Sequence, residues 1–248
     1  MKNRLALLYH EVINDYTESG FQNNDNLAYM HKTEVFEKQI EIFKNHVHQT
    51  NSSKIDDYLF TFDDGGISNL RAASILEKNN LIGQFFITTK QIGNKGFLSP
   101  KDIIQLHKNG HIIGSHSHTH PMIFRTLSYA KMLEEWKVSK QILEEIIEQK
   151  VFSCSIPGGD ANKKTYESAA EAGSQYIYDS EPIIATRTFN TSEIIGRLSI
   201  KANLTDEQFL KTLELKNLSA LQRNRKIKST IKKIIFPLHQ YIQNKKNG

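Results

Sequence analysis

Short apolar runs alternate with longer amphipathic stretches along this chain, and most of the apolar runs stop at polar residues or glycine. Residues 5–9, 58–62, 81–88, 111–114, 151–156, 175–178 and 194–200 are too short for core helices and rich in β-branched and aromatic residues, so they read as strands. Between them, 33–47 carries Val35, Phe36, Ile40, Ile42 and Phe43 at helical spacing, with Thr33 as the expected N-cap. Further helices are expected over 67–79, from Ser99-Pro100 to Asn109-Gly110, and over 128–149, 163–172 and 205–215. Residues 14–30 read as a long polar loop and 51–57 as a turn. Several strands are apolar enough to be buried on both faces, which favours a parallel sheet. The alternation predicts an α/β fold of about seven βα units, closed into a barrel or left as a doubly wound open sheet.

The strand over 58–62 ends abruptly in Asp63-Asp64-Gly65-Gly66. The glycines let the backbone turn, which puts both carboxylates at the C-terminal end of a strand, where α/β folds hold their chemistry. Adjacent residues of an extended segment point to opposite sides, so one acid is free to bind a metal and the other to move a proton. Alone, the pair is read equally well as a helix cap or a structural cation site. A second strand end changes the balance: 111–114 leads into Ser115-His116-Ser117-His118-Thr119-His120-Pro121. Imidazoles are common ligands of zinc-like ions, and two of them with one carboxylate leave positions open for water and substrate. Asp64, His116 and His120 make such a set, with Ser117 and Thr119 available to orient the ligands. His118 is expected to face solvent or a substrate groove.

The segments Thr61-Phe62-Asp63-Asp64-Gly65 and Gly114 to Pro121 resemble the first two motifs of the polysaccharide deacetylases, the carbohydrate esterase family 4 enzymes with a NodB-like homology domain. The resemblance covers about 5–200 and implies a distorted (β/α) barrel. Tyr9-His10 is similar to the opening of the branch that acts on poly-N-acetylglucosamine, and Ser155-Ile156-Pro157-Gly158-Gly159 falls where the family carries its third motif. The resemblance implies Asp63 as general base and Asp64, His116 and His120 as ligands of a divalent metal, zinc by expectation, with Co2+ or Ni2+ as alternatives. It also implies an acyl pocket at Pro157 and Gly158, the Gly158 N–H helping to bind the oxyanion. Two departures stand out. Ser155 occupies the place of an arginine that orients the base in many members, and Arg197 is the candidate replacement, against its reading as an ordinary salt-bridge residue. The late Leu-x-His segment that supplies a general acid is missing, and His10 is a candidate substitute, against its reading as a structural histidine.

The implied activity is removal of an N-acetyl or other N-acyl group from an amino sugar that is nucleotide-, lipid- or polymer-linked, in cell-envelope glycan synthesis. Two alternatives stay open: a carbohydrate-binding pseudoenzyme that keeps the metal, and a deformylase on a lipid-linked amino sugar, which the small Gly158-Gly159 pair permits. The chain's 248 residues fit one large domain with an appendage, divided as 1–217 and 218–248. Its single cysteine, Cys154, excludes an intramolecular disulfide. The opening apolar run is too short for a signal-peptide core, and no stretch reaches the ~18–20 apolar residues of a membrane span. A cytoplasmic location is the expectation, with the inner face of the membrane as a place of peripheral contact. The segment 221–248 holds eight Lys and Arg and no acid, so the chain's +5 less these eight leaves −3 for the rest. Ile227, Ile231, Ile234, Ile235 and Leu238 sit there at helical spacing among lysines. That helix either packs on the barrel with a solvated cationic face or attracts an anionic membrane. No nucleic-acid partner is expected, since the body is slightly acidic.

Overall fold

The computed structural model describes residues 4–15, 20–22, 24–50, 57–227 and 230. Most of the turn expected at 51–57, and the expected helix beyond 227 apart from residue 230, lie outside the described residues. The chain opens with strand β1 (Leu5–Tyr9) and a two-stranded side sheet, β2 (Glu11–Ile13) and β3 (Met30–Lys32). The alternation then runs α1 (Thr33–Gln49), β4 (Tyr58–Phe62), α2 (Asn69–Lys78), β5 (Gly83–Ile87), α3 (Pro100–Lys108) and β6 (Ile112–Ser115). It continues through α4 (Tyr129–Ile147), β7 (Ser153–Ser155), α5 (Lys163–Glu171) and β8 (Tyr176–Tyr178). A short hairpin β9 (Arg187–Phe189) and β10 (Ser192–Ile195), then β11 (Arg197–Ser199), α6 (Asp206–Leu213) and a last helix α7 over 218–227 complete it.

The main sheet has the order β11-β1-β4-β5-β6-β7-β8-β10-β9, parallel throughout except for β9 against β10. Its two sides are joined by the chain itself. Strand β10 pairs with β8 and β11 pairs with β1, and only Gly196 separates β10 from β11. One bent segment therefore serves both sides of a distorted (β/α) barrel of seven strand positions, with β10 and β11 sharing one and β9 lying outside it. The bend needs glycine: a Cβ on Gly196 would lie 2.3 Å from the Glu181 carbonyl oxygen and 2.5 Å from that of Ile183.

The pleat sorts the side chains into two sets. On β4, Tyr58, Phe60 and Phe62 face outwards and pack with Phe36, Ile40 and Phe43 of α1 in the main core, which also takes in α2, α3 and α6. The alternate residues Leu59 and Thr61 face the barrel interior, where Ala6, Phe86, Tyr178 and Ile195 cluster. A second outer core holds Met132 and Trp136 of α4 against Cys154, Ile156 and Ile177. Leu218 and Leu221 of α7 pack on the main core.

Two local expectations change. Thr33 is the first residue of α1 rather than its N-cap, which is Lys32. Strand β3 runs straight into the helix, and the Thr33 hydroxyl donates instead to Asn14 Oδ1 (2.6 Å). Within 14–30, a 3-10 turn, Asn24–Tyr29, stands where a long polar loop is expected, and β3 begins at the loop's last residue, Met30.

Candidate active site

Asp63 extends the inward row of β4, Leu59 and Thr61, by one step, and its N–H continues the ladder to the Tyr9 carbonyl (3.1 Å). The chain then changes hand: Asp64 has φ 77° and Gly65 φ 79°. The two carboxylates are thus parted by a left-handed turn, a costlier device than the pleat alternation the sequence suggests, and one that collects at functional sites. Asp63, Asp64 and His116 are 3%, 5% and 1% exposed.

Asp63 is held from one side by Arg197. The guanidinium donates Nη1 to Asp63 Oδ1 and Nη2 to Oδ2, both at 2.8 Å, a bidentate pair. Ser155 Oγ donates to Asp63 Oδ2 (3.1 Å) and accepts from Arg197 Nη2 (2.7 Å). Arg197 is itself fixed through Nε on the Asp179 carbonyl (2.9 Å) and lies over the rings of Phe86 and Tyr178. Burial alone would raise the Asp63 carboxyl; the charges of Arg197 and His116 outweigh it and hold it below the usual carboxylate range. Ser155 and Arg197 therefore stand together around Asp63, the arginine arriving from β11.

Asp64 is surrounded differently. Its Oδ1 lies 3.4 Å from His116 Nε2 and 3.5 Å from His120 Nε2, and the three ligand atoms lie within 4.8 Å of one another. The Ser155 carbonyl only accepts, so His116 Nδ1, 2.9 Å away, donates to it. A neutral His116 then turns a lone pair on Nε2 towards a carboxylate oxygen that also carries lone pairs. Such a face-off needs a cation. Two atoms each about 2.1 Å from a tetrahedral zinc lie about 3.4 Å apart, so the residues fit the ion. Burial alone would lower His116, but the charges of Asp63 and Asp64 push it above the usual histidine value, while burial and His116 hold His120 below it. The pocket retains positive charge by one route or another.

The histidine loop is bent by left-handed residues, Ser117 (φ 64°) and His120 (φ 55°), and Glu135 on the buried face of α4 holds it. Glu135 Oε2 accepts the backbone N–H groups of His118 (3.0 Å) and Thr119 (2.7 Å), and Oε1 accepts the Thr119 hydroxyl (2.7 Å). The Ser117 hydroxyl accepts the His120 N–H (3.1 Å). His118 is turned from the metal set, its Nδ1 3.0 Å from the Thr89 hydroxyl. His10 follows β1 with its ring against Tyr29 (centroids 4.8 Å), and Nδ1 has no hydrogen-bond partner among the described residues. Burial holds His10 below the usual histidine value, against the pull of Asp64 and Asp63.

Pro157–Gly159 form a 3-10 turn after β7, with Gly158 at φ 65°. A Cβ on Gly158 would meet only the Met122 carbonyl, at 3.9 Å, so the turn faces open space beside the histidine loop. Glu135 went unread in the sequence, although a carboxylate at helical spacing with Met132, Trp136 and Ser139, on the buried stripe of α4, is itself a signal. The role of Ser155 left no sequence signal.

The family model for polysaccharide deacetylase matches residues 50–177. The polysaccharide deacetylase YxkH of Bacillus subtilis is 29% identical over 130 residues, 52% of this chain and 46% of YxkH, so the match spans about half the length of that relative. Among solved structures, the polysaccharide deacetylase BC0361 of Bacillus cereus superposes with a TM-score of 0.69 at 22% identity, over 85% of this chain and 69% of that one. The deacetylase PplD of Streptococcus pyogenes, solved with acetate, gives 0.65 at 19% identity, over 85% and 97%. At such identities the structural likeness shows a shared fold. The family match covers more than half of the sequence and includes both acidic and histidine motifs: this chain belongs to the polysaccharide deacetylase family.

Proposed function

We propose that the chain is a metal-dependent hydrolase that removes the N-acetyl group of an amino sugar, through a water activated at Asp64, His116 and His120. One observation carries this reading: Asp63 is fully satisfied by Arg197 and Ser155, while Asp64 faces two imidazole nitrogens at 3.4 and 3.5 Å. A divalent cation bound there, zinc by preference, supplies Lewis acidity and a more acidic bound water. Asp63 Oδ2 lies 3.9 Å from His116 Nε2, which would put the carboxylate within reach of a water bound beside that nitrogen. Arg197 keeps Asp63 ionised and aimed, so the carboxylate accepts the proton as water attacks the acetamide carbon. The Gly158 N–H is assigned to the developing oxyanion, where one donor is commonly worth about 3–4 kcal/mol. The C–N bond then breaks, giving acetate and the free amine. A protonated Asp63, an unusually strong acid beside Arg197, is suited to return the proton to the amine. His10, neutral near pH 7, is the weaker candidate for that step.

The substrate we assign is a nucleotide-, lipid- or polymer-linked N-acetylated amino sugar. Zinc-loaded protein is expected to release acetate from at least one of N-acetylglucosamine oligomers, UDP-N-acetylglucosamine and a lipid-linked acetamido sugar. Formate from the formylated sugar in place of acetate would support the deformylase reading. Glycan binding and bound metal without turnover would replace this reading with the pseudoenzyme. The run of eight basic residues without an acid in 221–248 supports contact with an anionic membrane as a secondary proposal. Equal sedimentation of the full and 1–220 chains with anionic vesicles would remove it.

A further inference from the structure

The Pro157–Gly159 turn is built from the loosest sequence available, two successive glycines at φ 65° and 61°. Gly159 N–H to the Ile156 carbonyl (2.8 Å) secures its inner side. The outer side is secured from the other end of the chain. Arg225, on α7, donates Nη2 to the Gly159 carbonyl and Nε to Glu181 Oε1 (2.9 Å). One turn earlier, Gln222 Nε2 donates to the Pro182 carbonyl (3.0 Å).

The loop that α7 grips lies between the two halves of the site. A Cβ on Gly159 would lie 2.0 Å from Ser180 Oγ, so the loop touches the turn directly. On its other side the Glu181 and Ile183 carbonyls close over Gly196, the residue before Arg197. At its base the Asp179 carbonyl accepts Arg197 Nε (2.9 Å), while Asp179 Oδ1 accepts the Glu181 N–H (2.9 Å). Arg225 thus ties the loop to the turn at the point where both must be still.

We propose that Arg225 is a positioning residue: it anchors the Gly159–Asp160 peptide at the end of the turn, and so holds the turn in the shape that points the Gly158 N–H at the developing oxyanion. This rests on the deacetylase reading. The contact is only partly buried, with Arg225 and Glu181 16% and 35% exposed, and such pairs add little to stability. Geometry is where it acts, because a misplacement of about 1 Å can cost about 100-fold in rate.

The test uses the full, zinc-loaded chain and Arg225→Ala. Its kcat is expected to fall about tenfold with KM little changed, since oxyanion contacts act in the transition state. Amide hydrogen exchange should quicken in peptides covering 155–161 and stay unchanged in α4, and Arg225→Lys should restore part of both. Unchanged exchange over 155–161, or unchanged kcat in an active enzyme, overturns the proposal. A wild-type chain that releases no acyl group refutes the deacetylase reading, and the exchange comparison then decides the Arg225 contact alone. If Arg225→Ala does not fold, Glu181→Ala removes one partner of the clasp and must quicken the same peptides; no change there sinks the idea.

Discussion

Asp63 and Asp64 are consecutive and almost equally buried, yet their surroundings differ in kind. Around Asp63 the chain supplies the opposite charge: a bidentate arginine and a serine hydroxyl close on both oxygens. Around Asp64 the chain brings imidazole nitrogens, which are cationic only when protonated. Burying a carboxylate costs several kcal/mol unless it is paired. The first pocket settles that cost internally, and the second leaves it to an imported cation or to a proton on His116. A finished pocket suits a group that must stay ionised and aimed. An open one suits a ligand.

The largest effect is expected from breaking the finished pocket. Arg197→Met leaves Asp63 buried without its counter-charge, and about 3–5 kcal/mol of stability should be lost at pH 7, read from denaturant melts. The sign with pH follows from the depressed carboxyl. Asp63 contributes stability above its unfolded value, and that contribution is lost as pH falls through its lower folded value. Without Arg197, burial is opposed only by the histidine charges and the Ser155 hydroxyl, and the Asp63 carboxyl rises. The acid limb of kcat/KM should then move to higher pH; an unmoved limb would separate Asp63 from the base role.

Filling the open pocket comes next. Zinc at about 100 times its dissociation constant should stabilise the wild-type chain by about 2.7 kcal/mol, and His116→Ala not at all, by thermal melts. Because a proton on His116 competes for the pocket, zinc affinity should rise as pH rises through its elevated value. Affinity independent of pH in that window would mean that His116 is not a ligand.

The smallest effect sharpens the contrast between ligands and their support. Glu135→Gln keeps the shape but loses charge-assisted acceptance of two N–H groups and a hydroxyl, and about 1–2 kcal/mol of stability should go. Hydrogen exchange should quicken in the histidine loop and leave the Asp63 pocket as it was.

The alternation of strand and helix, and both motif-bearing strand ends, were legible because hydrophobic period and breaker residues are local signals. So was the start of α3 at Ser99-Pro100, where Ser99 is the N-cap. What was not legible depends on meetings across the barrel. Arg197 could be named as a candidate partner of Asp63 but not chosen over an ordinary salt-bridge residue, because it reaches Asp63 from 134 positions away through the bend at Gly196. Glu135 is hidden in the amphipathic pattern of α4. The left-handed Asp64 gives no local sign, since Asp tolerates positive φ but adopts it at few positions. The β9–β10 hairpin turns at Asn190 (φ 52°), one residue in a polar stretch that shows no alternation.

The difference between the two neighbouring acids is tested most directly by measuring bound metal and acetate release together on wild type, Asp63→Asn and Asp64→Asn. The expected result is one divalent ion in wild type and in Asp63→Asn, little or none in Asp64→Asn, and acetate from wild type alone. Full metal occupancy in Asp64→Asn, or turnover by Asp63→Asn, would contradict the division of roles.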